Sequence, residues 1–539
     1  MKRERLYLFD TTLRDGNQSQ GVDFSVEDKR AIAEALDGIG LDYVEGGWPG
    51  ANPTDTAFFA DPPKLRHAKL TAFGMTRRPG RSVSNDPGLK TVLDAEVPAT
   101  CLVGKTWDWH VDIALGTTTT EAVKLIAESV AATVARGREA LLDCEHFFDG
   151  YKANPAFTLE CAHAALAAGA RWVVLCDTNG GTLPHEVERI VREVAKHIPG
   201  DHLGIHAQND TDNAVANSLA AVHAGVRHVQ GTLNGIGERC GNANLVSIIP
   251  TLLLKPEFCD RFETGVSPDG LRHLTHVSRL LDERLNRAPN IHAPYVGDAA
   301  FAHKGGLHGS AVAKDPRTYE HVAPETVGNR RHVLVSDQAG RANVVMRLKE
   351  AGIEVSGDDP RLTKLIADMK EREHLGYAFD DAEASFELMA LRALDRLPEY
   401  FRVATFRVIV ERRYTVRGEV VTTSDAMVKS VVDGETLVSV GEGNGPVNAL
   451  DQALRKELGK YSAYLSDLEL VDYKVRILTQ GTGAVTRVMI ESRDGRGHRW
   501  STVGVSPNII DASFQALFDA IVYKLFREGA PAGVVKAAE

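Results

Sequence analysis

Arg14 and Asp15 stand side by side in Asp10-Thr11-Thr12-Leu13-Arg14-Asp15-Gly16-Asn17-Gln18, directly after the apolar run Leu6–Phe9. A guanidinium is a fixed, planar cation that grips a carboxylate or an enolate oxygen. The carboxylate beside it is a hard-oxygen metal ligand, and Gly16 lets the backbone turn sharply next to both. Far along the chain, His206-Ala207-Gln208-Asn209-Asp210 offers an imidazole and an amide two positions apart. Residues at i and i+2 of a strand point the same way, so His206 and Gln208 can address one face. Asn242, at the end of Gly237-Glu238-Arg239-Cys240-Gly241-Asn242, adds another amide oxygen. A lone ion pair or a lone His-x-Gln is ordinary surface. Asp15, His206, Gln208 and Asn242 together form a mixed nitrogen and oxygen set. Such a set suits Mn2+, Mg2+ or Zn2+ with positions left open for substrate or water.

These residues need elements that bring them together. Short apolar runs recur near Leu6–Phe9, Tyr43–Glu45, Leu70–Phe73, Thr100–Val103, Ala140–Cys144, Trp172–Cys176, Leu203–Ile205 and Val229–Gly231. Amphipathic stretches such as Glu121–Ala135, Asn154–Ala168, Pro184–His197 and Asn213–Ala224 lie between them. The first helix is expected to start at Ser25 as N-cap, with Asp28 completing the cap and Ile32, Leu36 and Ile39 as its apolar stripe. Strands alternating with helices in units of about 30 residues predict a parallel sheet, and eight of them a (β/α)8 barrel of the TIM type. Asp15, Glu45, Lys105, Glu145, Asp177-Thr178, His206 to Asp210 and Asn234 all fall at or just after the runs, where a barrel gathers its chemistry. A doubly wound open sheet fits less well, because no GxGxxG follows the first run.

Composition bounds the rest. The chain has 539 residues, 43% hydrophobic and 25% charged, enough for more than one domain. A net charge of −11 gives no footprint for nucleic acid or an anionic membrane, and no apolar stretch approaches the roughly 18 residues of a membrane span. Six scattered cysteines without a CxxC pair suit a reducing cytoplasm.

Asp-Thr-Thr-Leu-Arg-Asp-Gly, the His-x-x-Asn-Asp-x-x-x-Ala-Val-Ala-Asn run ending at Asn217, and Gly-Ile-Gly-Glu-Arg-x-Gly-Asn resemble the signatures of the 2-isopropylmalate/homocitrate/citramalate synthase family. Glu45-Gly46-Gly47-Trp48-Pro49-Gly50-Ala51-Asn52-Pro53-Thr54-Asp55 and His303-Lys304-Gly305-Gly306-Leu307-His308 most resemble its citramalate synthase branch. The resemblance implies a divalent ion that chelates a 2-oxo acid, with acetyl-CoA as the co-substrate that condenses on it. For this branch the 2-oxo acid is pyruvate and the route leads to isoleucine. A larger 2-oxo acid, as in 2-isopropylmalate or homocitrate synthase, is the alternative. An inactive amino-acid-sensing homologue is the alternative of a different class.

Carried over by position, the metal ligands are Asp15, His206, Gln208 and Asn242. The catalytic residues are Arg14, which stabilises the alkoxide, Glu145 near the metal-bound water and CoA, and His308 as base. The substrate-binding residues are Arg14, Thr178 and Gln18. The family pattern is His-x-His, whereas this chain has Gln208 in the second place. A harder, weaker amide ligand favours Mn2+ or Mg2+ over Zn2+. After His308 an aspartate is usual two positions on, and here Ser310 stands there.

The domains expected are a catalytic barrel over 1–266, linker subdomains covering the active site over 267–397, and a regulatory α+β domain over 398–539. Strands are expected at Phe401–Glu411, Val420–Val432, Leu468–Thr479 and Ala484–Ser492, and helices at Pro360–Glu371, Asp381–Leu394, Val447–Leu458 and Ile510–Leu525. Gly441 to Pro446 is read as a glycine-rich loop, not a phosphate cradle, since no Lys-Ser/Thr follows. The last domain resembles the regulatory domain of the same family, Val503–Ser513 above all. That implies an amino-acid effector, isoleucine before leucine, and a homodimer.

Overall fold

A computed structural model describes residues 3–334, 340–414 and 416–533. The chain divides into two compact units, one of residues 1–301 and 322–331 and one of residues 302–321 and 332–539.

The first unit is a closed, all-parallel barrel of eight strands: β1 (Tyr7–Asp10), β2 (Tyr43–Gly47), β3 (Lys69–Met75), β4 (Ala99–Lys105), β5 (Glu139–Glu145), β6 (Trp172–Asp177), β7 (Leu203–Ala207) and β8 (His228–Gly231). The sheet closes where Tyr7 to Asp10 pair with His228 to Gly231. Helices α1 (Val26–Ile39), α2 (Pro53–Ala60), α3 (Pro87–Asp94), α4 (Thr119–Ala135), α5 (Pro155–Ala167), α6 (Pro184–Val194), α7 (Ala214–Ala224) and α8 (Leu245–Leu254) follow the strands in turn. The expected TIM barrel is therefore present.

The helix starts are written into the sequence. The Ser25 hydroxyl accepts the Asp28 backbone N–H and the Asp28 carboxylate accepts that of Ser25, the reciprocal cap expected from the residue types. Asn52-Pro53, Asp86-Pro87 and Asn154-Pro155 repeat another device, a capping side chain followed by a proline whose missing N–H costs nothing there. Ile32, Leu36 and Ile39 are buried as the stripe requires.

The second unit holds α9 (Gly306–Lys314), α10 (Arg341–Glu350), α11 (Arg361–His374) and α12 (Glu383–Ala393). Two successive strand-strand-strand-helix repeats come after them. The first is β9 (Arg402–Tyr414), β10 (Val420–Val432), β11 (Glu435–Gly443) and α13 (Pro446–Lys456). The second is β12 (Glu469–Ile477), β13 (Thr486–Arg493), β14 (Arg499–Ser506) and α14 (Ile509–Arg527).

The third strand of each repeat is absent from the sequence expectation. Gly441 to Gly443, read as loop, instead end β11 and pair with Ser424 to Ala426. A Cβ on Gly441 would lie 2.5 Å from the Ala449 carbonyl, and one on Gly504 would lie 2.0 Å from that of Ala512. Both glycines let the helix of their repeat lie directly on its own sheet, so glycine there marks close packing and not a turn.

Among the described residues no helix is long and apolar enough to cross a membrane. All six cysteines are free.

Candidate active site

The carboxyl ends of the barrel strands surround a cavity of about 280 Å3 lined by Arg14, Asp15, Gln18, Glu145, Thr178, His206 and Gln208, with Trp48, Phe73, Met75 and Val103 as its apolar wall. Asp15 and Gln18 come from the turn after β1, Glu145 ends β5, Thr178 follows β6, and His206 and Gln208 flank the end of β7. Asn242 reaches the same place because Gln208 and Asn242 form an isolated bridge between their two loops. Gly241 makes this bend possible: it holds φ +90°, and a Cβ would sit 2.0 Å from the Gly235 carbonyl.

Asp15, His206, Gln208 and Asn242 are all buried. The Gln208 amide donates to Asp15 Oδ2 at 3.2 Å, and His206 Nε2 lies 3.4 Å from that same oxygen. Asp15 Oδ1, Gln208 Oε1 and Asn242 Oδ1 have no hydrogen-bond partner. His206 is oriented from behind. Gln230 Nε2 donates to Asp143 Oδ1 at 3.0 Å, which turns its Oε1 toward His206 Nδ1 at 2.9 Å. That orients the ring so that Nε2 faces Asp15 Oδ2 and the Gln208 amide nitrogen, each at 3.4 Å, the arrangement of a histidine aimed at a shared ligand position. Three buried oxygens without donors, beside an imidazole nitrogen aimed at the same place, fit a divalent cation. Burial pushes the Asp15 carboxyl up, yet Arg14, His206 and Asn242 outweigh it and hold the group well below the usual carboxylate range.

Arg14 is clamped. Its Nε donates to Glu45 Oε2 at 2.8 Å, its Nη1 lies 3.4 Å from Asp15, and its guanidinium lies over Phe73, 4.0 Å from the ring centre. Burial works against the charge, but Glu45, Asp15 and Asp143 around it keep the guanidinium firmly protonated. Glu45 itself is pushed up by burial. Glu145 is ion-paired with Lys105, and the Thr178 hydroxyl accepts the His146 backbone N–H at 2.8 Å.

His308 lies on α9 of the second unit, exposed, its ring 4.1 Å from that of Tyr319. The other histidine of its motif, His303, is buried and paired with Glu320 at 3.0 Å.

Sequence reasoning placed Glu45 at the mouth without an individual role, gave none to Gln230 or Asp143, and missed Lys29. This lysine is wholly buried on α1 and donates to the carbonyls of Leu13 (2.8 Å) and Gly46 (3.0 Å) while pairing with Asp55. It thereby ties the Arg14–Asp15 turn to the end of β2. The signal was available: Lys29 is three residues before Ile32, on the apolar stripe, where a charge must find partners.

The HMGL-like family model matches residues 5–277, the homocitrate synthase post-HMGL domain-like model residues 295–374, and the LeuA allosteric (dimerisation) domain model residues 381–525. An (R)-citramalate synthase of Aquifex aeolicus is 50% identical over 97% of this chain and 98% of its own length. One of Geobacter sulfurreducens is 50% identical over 96% and 97%. The chain belongs to the (R)-citramalate synthase family. A probable 2-isopropylmalate synthase of Methanopyrus kandleri is more distant, at 32% identity over 95% of this chain and 97% of its own length. The matches to the citramalate synthase relatives thus span both units.

Proposed function

We propose that the chain joins acetyl-CoA to pyruvate and, with water, releases citramalate and CoA. The observation that carries this reading is the group of buried, donorless oxygens beside a clamped guanidinium in a small cavity with an apolar wall. A pyruvate-sized 2-oxo acid presents a carboxylate, a keto oxygen and one methyl group, and each has a counterpart there.

Asp15, His206, Gln208 and Asn242 are the residues that would hold a divalent ion, Mn2+ or Mg2+ before Zn2+, with the oxygen-rich donor set as the reason. When bound, such an ion supplies positive charge to the keto and carboxylate oxygens of the 2-oxo acid. The other roles belong to this chain's own groups. Thr178 and Gln18 hold the carboxylate end. A base, for which His308 is the proposed residue, removes a methyl proton from acetyl-CoA, and the resulting carbon forms a bond to the keto carbon of pyruvate. The keto oxygen becomes an alkoxide that Arg14 stabilises, because Glu45 and Phe73 hold the guanidinium without reorganisation. Glu145, beside Lys105, hands a proton to that oxygen or takes one from the water that cleaves the thioester to carboxylate and CoA thiol. The two strand-strand-strand-helix repeats are proposed to bind isoleucine, leucine less well, and to join two chains in a homodimer working in the cytoplasm.

CoA release measured side by side with pyruvate, 2-oxobutyrate, 2-oxoisovalerate and 2-oxoglutarate tests the reading. Pyruvate should give the highest kcat/KM. A preference for 2-oxoisovalerate or 2-oxoglutarate would move the chain to a neighbouring specificity, and no CoA release with any of the four would leave an amino-acid sensor.

A further inference from the structure

Beside the cavity lies a cluster of which the reaction above uses only Glu145. After β4 the chain makes a single turn, Asp108–His110, and then a five-residue π-turn, Val111–Leu115. This irregular segment brings His110 edge-on to His146, with ring centres 4.5 Å apart and planes at 86°. His146 directly follows β5 and sits at φ +57°, a strained conformation for a histidine, held by its N–H bond to Thr178. Neither His110 Nδ1 nor His146 Nδ1 has a hydrogen-bond partner. His110 Nδ1 lies 4.0 Å from Glu145 Oε2, and Asp149 Oδ2 lies 3.6 Å from His146 Nδ1. His110, Glu145 and His146 offer ligand atoms that are all within 4.8 Å of one another.

We propose that His110, Glu145 and His146, with Asp149 as fourth donor, form a second metal site that takes zinc-type ions and, when filled, withdraws Glu145 from the reaction. Two imidazoles and carboxylate oxygens are a tetrahedral N/O set of the kind zinc prefers, whereas Asp15, Gln208 and Asn242 offer oxygen. Ligand atoms around a tetrahedral zinc are roughly 3.4 Å apart, so His110, Glu145 and His146 need only side-chain rotation to close on an ion, whereas Asp149 Oδ2 must also give up the Asn179 Nδ2 that donates to it at 2.8 Å. The four side chains are between 14% and 23% exposed, which leaves a route in for an ion. Lys105 is paired with Glu145 in the ion-free state, and the metal must take its place. That exchange weakens binding and also gives it a consequence, since Glu145 cannot serve both the ion and the thioester. The site itself rests on geometry alone, and only its inhibitory effect rests on the role proposed for Glu145.

The experiment uses the full chain. Zn2+ bound per chain is counted by equilibrium dialysis in wild type, in Asp15→Ala/His206→Ala and in His110→Asn/His146→Asn. Asparagine is chosen because it tolerates the left-handed backbone of residue 146. Each double variant should bind one ion fewer than wild type. His110→Asn alone, which leaves residue 146 untouched, should weaken the second ion at least about 100-fold, beyond the loss of an outer partner. An unchanged Zn2+ count in the His110/His146 variants overturns the site. In Mg2+-supported CoA release, the same double variant should need at least about 100-fold more Zn2+ for half-inhibition. Inhibition equal to wild type despite the lost ion overturns the inhibitory role. If pyruvate proves not to be the substrate, the Zn2+ count still decides the site.

Discussion

The same eight strands end in two different ways. At their amino ends, the barrel floor is a stack of rings: Tyr7, Trp172, Tyr43, Phe9 and His228 lie with centres 4.9 to 5.8 Å apart. Its polar atoms are used up internally, since Trp172 donates to the Tyr43 hydroxyl at 3.1 Å and Tyr43 donates to Glu139 at 2.8 Å. At their carboxyl ends, Asp15 Oδ1, Glu45 Oε1, Gln208 Oε1 and Asn242 Oδ1 are buried without donors. Leaving such an atom unpaired costs roughly 1–3 kcal/mol. A fold that satisfies one end and leaves the other wanting has kept those atoms for something that arrives later. The exception at the floor is His228 Nδ1, which also lacks a partner. It is neutral, and therefore cheap to leave so.

The sharpest break of this comparison is at the mouth. Asp15→Ala and His206→Ala should each remove citramalate formation, a loss of roughly 10³-fold or more, as when a transition-state contact is deleted. Their Tm should stay at or above that of wild type, because each removes a buried group whose needs the protein alone does not meet. A matching fall in Tm would make these residues structural and erase the distinction between the two ends. Arg14→Lys comes next. Lysine keeps the charge but loses the fork that Glu45 and Phe73 hold, so kcat should drop roughly 10²–10³-fold. A near-normal kcat removes Arg14 from the reaction.

The floor answers to pH instead. Burial, with help from Arg171, pushes His228 down to about 3 from its ordinary 6.5. Below about pH 6.5 the unfolded chain therefore takes up a proton that the folded barrel refuses. The stability held by the neutral ring is complete above that pH and is lost, at about 1.4 kcal/mol per pH unit, as pH falls toward 3. His228→Phe keeps an aromatic ring and has nothing to titrate. Relative to wild type it should gain about 2 kcal/mol between pH 8 and pH 5, read from denaturant midpoints at each pH. Parallel curves would show that His228 does not carry the acid sensitivity, and kcat at pH 8 should change little.

The barrel was legible in the sequence because its signal is redundant: eight apolar runs with amphipathic stretches between most of them cannot be fitted to many folds. Asp15, His206 and Gln208 were legible because each stands at or just after a strand end, where closure of the sheet brings them together, and Asn242 joins them through its bridge to Gln208. The supports were harder to see. Glu45 and Gln230 act by orienting another side chain, and that depends on χ angles that no spacing encodes. His110 meets His146 only through a π-turn, a local irregularity without a periodic signature. In the second unit β11 was hidden by its glycines, whose usual meaning is a turn. Placing Gly441 beside Gly504, and Ala449 beside Ala512, would have exposed the repeat and with it both missing strands.

The smallest expected effect at the mouth belongs to Thr178. Its hydroxyl accepts the His146 N–H at 2.8 Å, and its carbonyl accepts Arg239 Nη2 at 2.9 Å. With its oxygen engaged as acceptor, the hydroxyl has its own proton free to donate to a substrate carboxylate. That contact exists in the ground state as much as in the transition state, so its loss should appear in KM and not in kcat. One hydrogen bond of this kind is worth about 1–1.5 kcal/mol, which predicts a roughly tenfold rise in KM for pyruvate in Thr178→Ala. Thr178→Val, which keeps the shape but cannot donate, should match the alanine variant, while Thr178→Ser should stay within about threefold of wild type. If Ser and Ala behave alike, the methyl group and not the hydroxyl is what matters. Thr178 would then belong with the packed residues of the floor, and the division between the two ends would run one residue closer to the mouth.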